Sequence, residues 1–313
     1  MTSAAFSLRP ATRRRIRYVL IGAAVLGAII GFDTLVLHLS VDPLADIRAY
    51  YDAGARLNAG EPLYIQPATT DDAAFYRYPP LLAIAFRPLA LLPYETAALI
   101  WEGVVIASLG ITVLRLGLRE ERTWLLLGWL APAIAWSVAI GQAQVPMTLL
   151  LAIGSPWAVA LAANLKLLPA LVAIYWLARR EWRQLAWFGG AMVALIALQF
   201  VLEPAGSLAF LSFTDLAQVG TVENRSLYAI HPALWAVSVI VLAFLALRYG
   251  RTRAGWSLAV ALSVLATPRL LLYQLMTLLA GASGPQTAER TAPAAATPTT
   301  PSPLGRASGA VGR

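Results

Sequence analysis

Apolar stretches long enough to cross a bilayer recur along this chain, and short clusters of arginine separate them. A hydrocarbon core about 30 Å thick takes roughly 20 consecutive apolar residues as one helix. The stretches at 18–39, 94–118, 124–140, 145–178, 184–202, 233–247 and 254–281 approach or exceed that length. Hydrocarbon offers no water to free backbone groups, so a chain of this pattern satisfies them within helices. The expected fold class is therefore an all-α polytopic membrane protein, with about seven crossings and one or two short embedded segments. Composition agrees: 59% of residues are hydrophobic and 13% charged, against about 25% charged in soluble domains.

The charge pattern orients the chain. Arg9, Arg13, Arg14, Arg15 and Arg17 precede the first apolar run, so by the positive-inside rule 1–17 is a cytoplasmic basic N-terminus. The apolar run that follows is longer than a signal-peptide core and has no evident small-residue cleavage site. RLGLREER, ARREWR and RYGRTR mark further cytoplasmic turns, which leaves 40–79 and 203–232 as outer loops. In the first of these, Leu44, Ile47, Tyr51 and Ala55 share a helical spacing. An amphipathic helix is predicted there, lying along the interface and ending near 58–60. The membrane domain is expected over 18–281. From 282 to 313 the chain is rich in Ala, Pro, Thr and Ser and is expected to be disordered. The expected location is the cell (plasma) membrane, multi-pass.

The residue inventory narrows the chemistry. There is no cysteine, and the only histidines are His38 and His231. Thiolate zinc sites, cysteine nucleophiles and His-rich metal sites are thereby excluded. The net charge of +8 sits at the ends of apolar runs, a topological pattern rather than a nucleic-acid footprint. Ionisable groups at membrane depth are costly and point to function. Here they are Asp33, Arg87, Glu102, Lys166 and Arg269. Glu102 and Arg87 have a structural reading as a buried ion pair. Arg87, Lys166 and Arg269 together suit an anionic ligand such as a lipid-linked phosphate. The outer loop supplies Asp42, Asp46, Asp52, Glu61, Asp71 and Asp72. Asp46, on the interfacial helix and just ahead of Tyr50 and Tyr51, is best placed to act as a general base toward a hydroxyl.

Four segments in order carry a resemblance: DIRAYYDAGARLNAGEPLY, FYRYPPLLAIAFRPLALLP, GQAQVPMTLLLA and NLKLLPALVAIYWLARREWR, with ENRSLYAIHP and TPRLLLYQ beyond them. Together they resemble glycosyltransferase family 87, polytopic enzymes of the GT-C fold. The resemblance implies a GT-C-like helical bundle and transfer of a hexose, mannose foremost, from a polyprenyl-phosphate donor. The acceptor would be a lipid or glycan hydroxyl on the outer face; one base without a partner nucleophile suits a single displacement that inverts the anomeric carbon. The resemblance implies Asp46 as catalytic base and Lys166 as a ligand of donor phosphate; Arg269 and Arg87, from their depth and charge, are further candidates for that phosphate. Tyr50, Tyr51, Gln142, Asn224 and His231 would contact sugar or acceptor. Tyr78, Pro79 and Pro80 match a structural Tyr-Pro-Pro at the start of a helix. No metal and no other cofactor is expected, and no nucleic-acid partner. The chain departs from the family at Gln144, where members often carry Asn, and in lacking a late Trp-His-His-like pattern. Two rival readings of the same residues are a lipid or anion transporter (a flippase) and an inactive scaffold subunit of the same fold.

Overall fold

The computed structural model describes residues 10–65, 76–212 and 223–284. Asp71, Asp72 and the tail from 285 onward lie outside the described residues. Among the described residues the chain is helical, without strands. Helix α1 (Pro10–Val41) is followed by α2 (Ala45–Ala59), α3 (Pro80–Phe86), α4 (Tyr94–Leu116), α5 (Glu121–Trp129) and α6 (Ala131–Ala139). Then come α7 (Gln144–Ile153), α8 (Pro156–Leu165), α9 (Ile174–Arg179), α10 (Trp182–Leu202) and α11 (Pro204–Ser212). The last are α12 (Leu227–Ile230), α13 (Pro232–Tyr249), α14 (Gly255–Leu265) and α15 (Leu278–Ser283), with 3₁₀ turns at Leu168–Ala173 and Leu272–Thr277.

Four helices, α1, α4, α10 and α13, are long and apolar enough to cross a membrane in one piece. Of these, α1, α10 and α13 turn nearly all their surface outward. Val25, Ile29 and Phe32 of α1, Val193 and Val201 of α10, and Ile240 and Phe244 of α13 are exposed. So large an apolar surface is untenable in water and is what lipid requires. The chain is a polytopic membrane protein.

The other expected crossings are not single helices. The run at 124–140 breaks at Leu130 into α5 and α6, where Pro132 removes a backbone donor. The run at 145–178 breaks at Gly154, which takes φ 68° and lets the chain turn before Pro156 opens α8. It breaks again at Lys166, whose backbone is extended. The run at 254–281 breaks at Thr267–Leu271 ahead of a 3₁₀ turn. Short broken helices at membrane depth are tolerated where they line protein or a cavity. Here they pack into the interior, with Met147, Leu151, Val159, Trp176, Trp256 and Val260 in one cluster.

The expected helix in the first outer loop is present as α2, but rotated. Ile47, Tyr50, Ala53, Gly54 and Leu57 form its buried face, and it packs on Leu82, Ala83 and Phe86 of α3. A Cβ on Gly54 would lie 2.8 Å from the Phe86 backbone, so glycine lets the helices touch. Apolar spacing alone favours a stripe through Tyr51. Tyr50 takes the buried position because its hydroxyl finds partners there, which a buried hydroxyl requires. Tyr51 instead donates to the Leu92 carbonyl at 2.8 Å, near the surface.

Candidate active site

The site begins with the junction between α6 and α2. The last carbonyls of a helix have no partner within it, and neither do the first N–H groups of the next. Here they satisfy each other: Leu44 N–H donates to Ala139 O at 3.0 Å, and Asp46 N–H donates to Ile140 O at 3.1 Å. The turn holds Leu44 at φ 57°, a left-handed conformation that costs a non-glycine residue about 1–3 kcal/mol. Gly141 follows at φ 66°, and a Cβ there would lie 2.2 Å from Ile47 Cγ1. Its carbonyl accepts from the Trp101 indole at 2.8 Å. The first turn of α2 is thus bolted to the loop 140–143.

Asp46 and Gln142 meet at this junction. The amide Nε2 of Gln142 donates to Asp46 Oδ2. Its Oε1 accepts from the Tyr50 hydroxyl at 2.6 Å and the Tyr78 hydroxyl at 2.7 Å. Burial, with Tyr78 and Asp46 alongside, pushes the Tyr50 hydroxyl well above its usual pKa, so it stays a donor. Two hydroxyl donors on one end of the amide fix the other end as the donor to the carboxylate. Asp46 is half-buried. Burial pushes its carboxyl up to about 7, against the opposing pull of Lys166, the Gln142 hydrogen bond and Arg77. Asp42 adds a smaller push in the same direction as burial. Asp42 is itself held by His38 Nδ1 at 2.8 Å, and His38 stacks on Trp136 with centroids 4.5 Å apart.

Lys166 closes the other side. Its backbone leaves α8, and its Nζ donates to Gln144 Oε1 at 3.1 Å. The ammonium lies 5.7 Å from the Tyr78 ring centroid and 5.6 Å from that of Tyr273, inside the range for cation–π attraction. Gln144 Nε2 in turn donates to Thr277 Oγ1 at 2.5 Å, and Thr148 lies against the same hydroxyl at 3.1 Å. Tyr273 also lies within electrostatic reach of Asp46, Arg77 and Arg269. One carboxyl, two tyrosines and three cations are therefore linked by electrostatic contacts, with Tyr273 and Lys166 between them. Among the described residues no group of three His, Asp or Glu side chains could hold a metal ion.

The other residues singled out from the sequence sit elsewhere or act indirectly. Asn224 accepts from Leu270 N–H and donates to the Pro268 carbonyl, both at 3.0 Å, so it braces the backbone that carries Arg269. His231 caps α13, accepting from Ala233 N–H at 3.1 Å. Tyr51 stacks edge-on with Tyr94, 5.4 Å away. Arg87 binds Asn58 at the end of α2, with Nε 3.0 Å from Oδ1. The expected ion pair between Arg87 and Glu102 does not form: Glu102 Oε2 is buried without a hydrogen bond, beside Gly141. Asp33 is exposed on α1. Sequence reading overlooked Arg77 and Tyr273, and treated Tyr78 as structural. All three lie in or near the quoted FYRYPP and TPRLLLYQ segments. Their convergence depends on long-range packing that no local spacing encodes.

A polytopic helical bundle that sets a carboxyl among cations defines a class, and sequence comparison places the chain in it. Residues 75–282 match glycosyltransferase family 87, and the chain belongs to that family. The match contains Arg77, Tyr78, Gln142, Lys166, Arg269 and Tyr273, whereas Asp46 precedes it. The chain is 29% identical over 207 residues to the polyprenol-phosphate-mannose-dependent alpha-(1-2)-phosphatidylinositol pentamannoside mannosyltransferase of Mycolicibacterium smegmatis, covering 58% of this chain and 50% of that one. It is 30% identical over 197 residues to the protein of the same name from Mycobacterium tuberculosis, covering 55% of this chain and 44% of that one. The chain thus spans about half the length of the curated relatives it matches. No solved structure matches it.

Proposed function

We propose that this chain transfers a hexose, mannose foremost, from a polyprenyl-phosphate donor to a hydroxyl of a lipid or glycan acceptor. The observation that carries the reading is the nearness of Asp46 to Lys166, whose charge pulls on the carboxyl, with Gln142 fixing the carboxylate and Tyr78 beside the ammonium. The donor phosphate docks at Lys166, with Arg269 and Arg77 alongside. Cations there stabilise the charge that grows on the phosphate as the sugar departs. The acceptor hydroxyl attacks the anomeric carbon, the bond from that carbon to the phosphate oxygen breaks, and Asp46 takes the hydroxyl proton. Polyprenyl phosphate leaves as the anion. A single displacement inverts the anomeric carbon and needs one base without a second carboxylate nucleophile. A carboxyl near 7 is half ionised at neutral pH, a favourable value for a general base. The names of the relatives in the two mycobacteria support both the donor class and a phosphatidylinositol-type acceptor.

The arginine-rich start of the chain supports an N-terminus on the cytoplasmic side, and the proposed location is the plasma membrane. Asp46 follows the far end of α1 and therefore works on the outer face. The proposed membrane domain is 18–281. The test is transfer of labelled mannose from polyprenyl-phosphate mannose by membranes that contain the chain. Incorporation into lipid or glycan above empty membranes supports the reading. Movement of the donor across vesicles without glycosidic product would replace it with the flippase reading.

A further inference from the structure

We infer that the groove between α1 and α5, on the opposite membrane face from Asp46, is a binding site for an anionic glycerophospholipid. The two helices run side by side and touch where glycine permits. A Cβ on Gly27 would lie 2.3 Å from the Gly128 carbonyl oxygen. A groove of about 720 Å³ runs along this seam, lined by α1 from Arg17 to Ala28 and by α5 from Glu121 to Gly128. Its walls are apolar, including Ile21, Val25 and Leu125. Its mouth is not: Arg17 and Arg119 flank it, and Arg17 Nε binds Glu121 Oε1 at 2.7 Å. Trp124 also lines the mouth, its indole N–H held by the Leu118 carbonyl at 2.8 Å. An indole anchored at that level is typical of the headgroup region.

The depth fits one leaflet. The lining on α1 extends from Arg17 to Ala28, which at 1.5 Å per residue is about 17 Å. Half of a 30 Å hydrocarbon core is about 15 Å. A lipid seated with its phosphate at Arg17 and Arg119 therefore lays one acyl chain along Ile21, Val25 and Leu125 to the bilayer centre. Glu121 and Glu120, the latter 4.0 Å from Arg122, offset only part of the local charge, since Arg13, Arg14 and Arg15 also lie close by in sequence. A net positive mouth selects anionic headgroups over zwitterionic ones. The sugar donor is a poor occupant, because its phosphate is needed at Lys166 on the other face.

Native mass spectrometry of the full chain, released from detergent with equimolar phosphatidylglycerol and phosphatidylcholine, tests the site. At about 1 kcal/mol per arginine, two arginines predict a preference for phosphatidylglycerol of about 30-fold. Arg17→Gln with Arg119→Gln should bring the two lipids to parity, whereas Arg17→Lys with Arg119→Lys should keep the preference. Arg119→Gln alone spares the ion pair with Glu121 and should cut the preference to a few-fold, which covers a double variant that fails to fold. Equal retention of both lipids by the wild type would overturn the proposal. So would an unchanged preference in the glutamine variants. Displacement of phosphatidylglycerol by equimolar polyprenyl monophosphate would assign the groove to the donor lipid and also overturn it.

Discussion

Replacing Gln142 by glutamate changes the site by little more than one atom, yet it should move the pH dependence of transfer by about two units. In the native arrangement the amide donates to Asp46 and accepts from two tyrosine hydroxyls. A glutamate keeps the acceptor for Tyr50 and Tyr78 but sets a second carboxylate against the first. Two unit charges 4 Å apart at an effective dielectric of 20 repel by about 4 kcal/mol, or roughly three pKa units. Lys166 and Arg77, which already pull Asp46 down, offset part of this, leaving about two units. The pair then shares a proton and titrates as a unit. Asp46 starts near 7, so its ionised fraction at pH 7 falls from about half to about one in a hundred, and the rate falls by roughly 50-fold. The assay is initial rate of mannose transfer by Gln142→Glu and wild-type membranes from pH 5.5 to about 9.5, normalised to protein. The rising limb of the variant should shift upward, with most of the deficit recovered at the alkaline end. A loss that is the same at every pH would refute the reasoning, because it would mean that the substitution damages packing rather than proton affinity.

Lys166→Met should lower kcat/KM by about 10- to 100-fold, the loss of one charge-assisted bond to phosphate, and should raise KM for the donor. Because Lys166 also holds Asp46 down, the rising pH limb should move upward; an unmoved limb with unchanged KM would remove Lys166 from the site. Gly141→Ala forces a Cβ to within 2.2 Å of Ile47 at a positive φ and should cost at least about 2 kcal/mol, read as a lower midpoint of thermal inactivation in detergent. Tyr51→Phe removes only a hydrogen bond to the Leu92 carbonyl and should leave transfer within about twofold, since a single peripheral bond contributes about 1 kcal/mol to folding; a large loss would put Tyr51 against substrate.

The sequence carried the fold class openly, since runs such as 184–202 admit no reading but a membrane helix. It also carried the break points at GSPW and NLKLLP, where Gly154, Pro156 and Pro169 forbid a continuous helix. It carried less of the register. The face of α2 through Tyr50 cannot be read from hydrophobicity, because two adjacent tyrosines have the same apolar weight and only the partners of their hydroxyls separate them. The junction of α6 with α2 was invisible for a related reason: backbone groups of Ala139 and Ile140 do the holding, and any side chains there would serve. Asp46, Gln142 and Lys166 were nameable one by one through the family resemblance. That they face each other, with Arg77 and Tyr273 beside them, follows from packing across more than two hundred positions of sequence separation between Asp46 and Tyr273. Asn224 and His231 show the reverse case. Polar residues in a loop invite a ligand role from sequence, while in the fold one braces the Arg269 segment and the other caps α13.

The central claim is that the Asp46 carboxylate removes the acceptor proton. Transfer of labelled mannose from polyprenyl-phosphate mannose, compared between wild-type and Asp46→Asn membranes at equal expression, tests it most directly. Asparagine keeps the size of the side chain and cannot accept the proton, so the account predicts a loss of at least about a hundredfold, within the range for a general base, with KM for the donor little changed. Transfer by Asp46→Asn at a rate near that of the wild type would contradict the account.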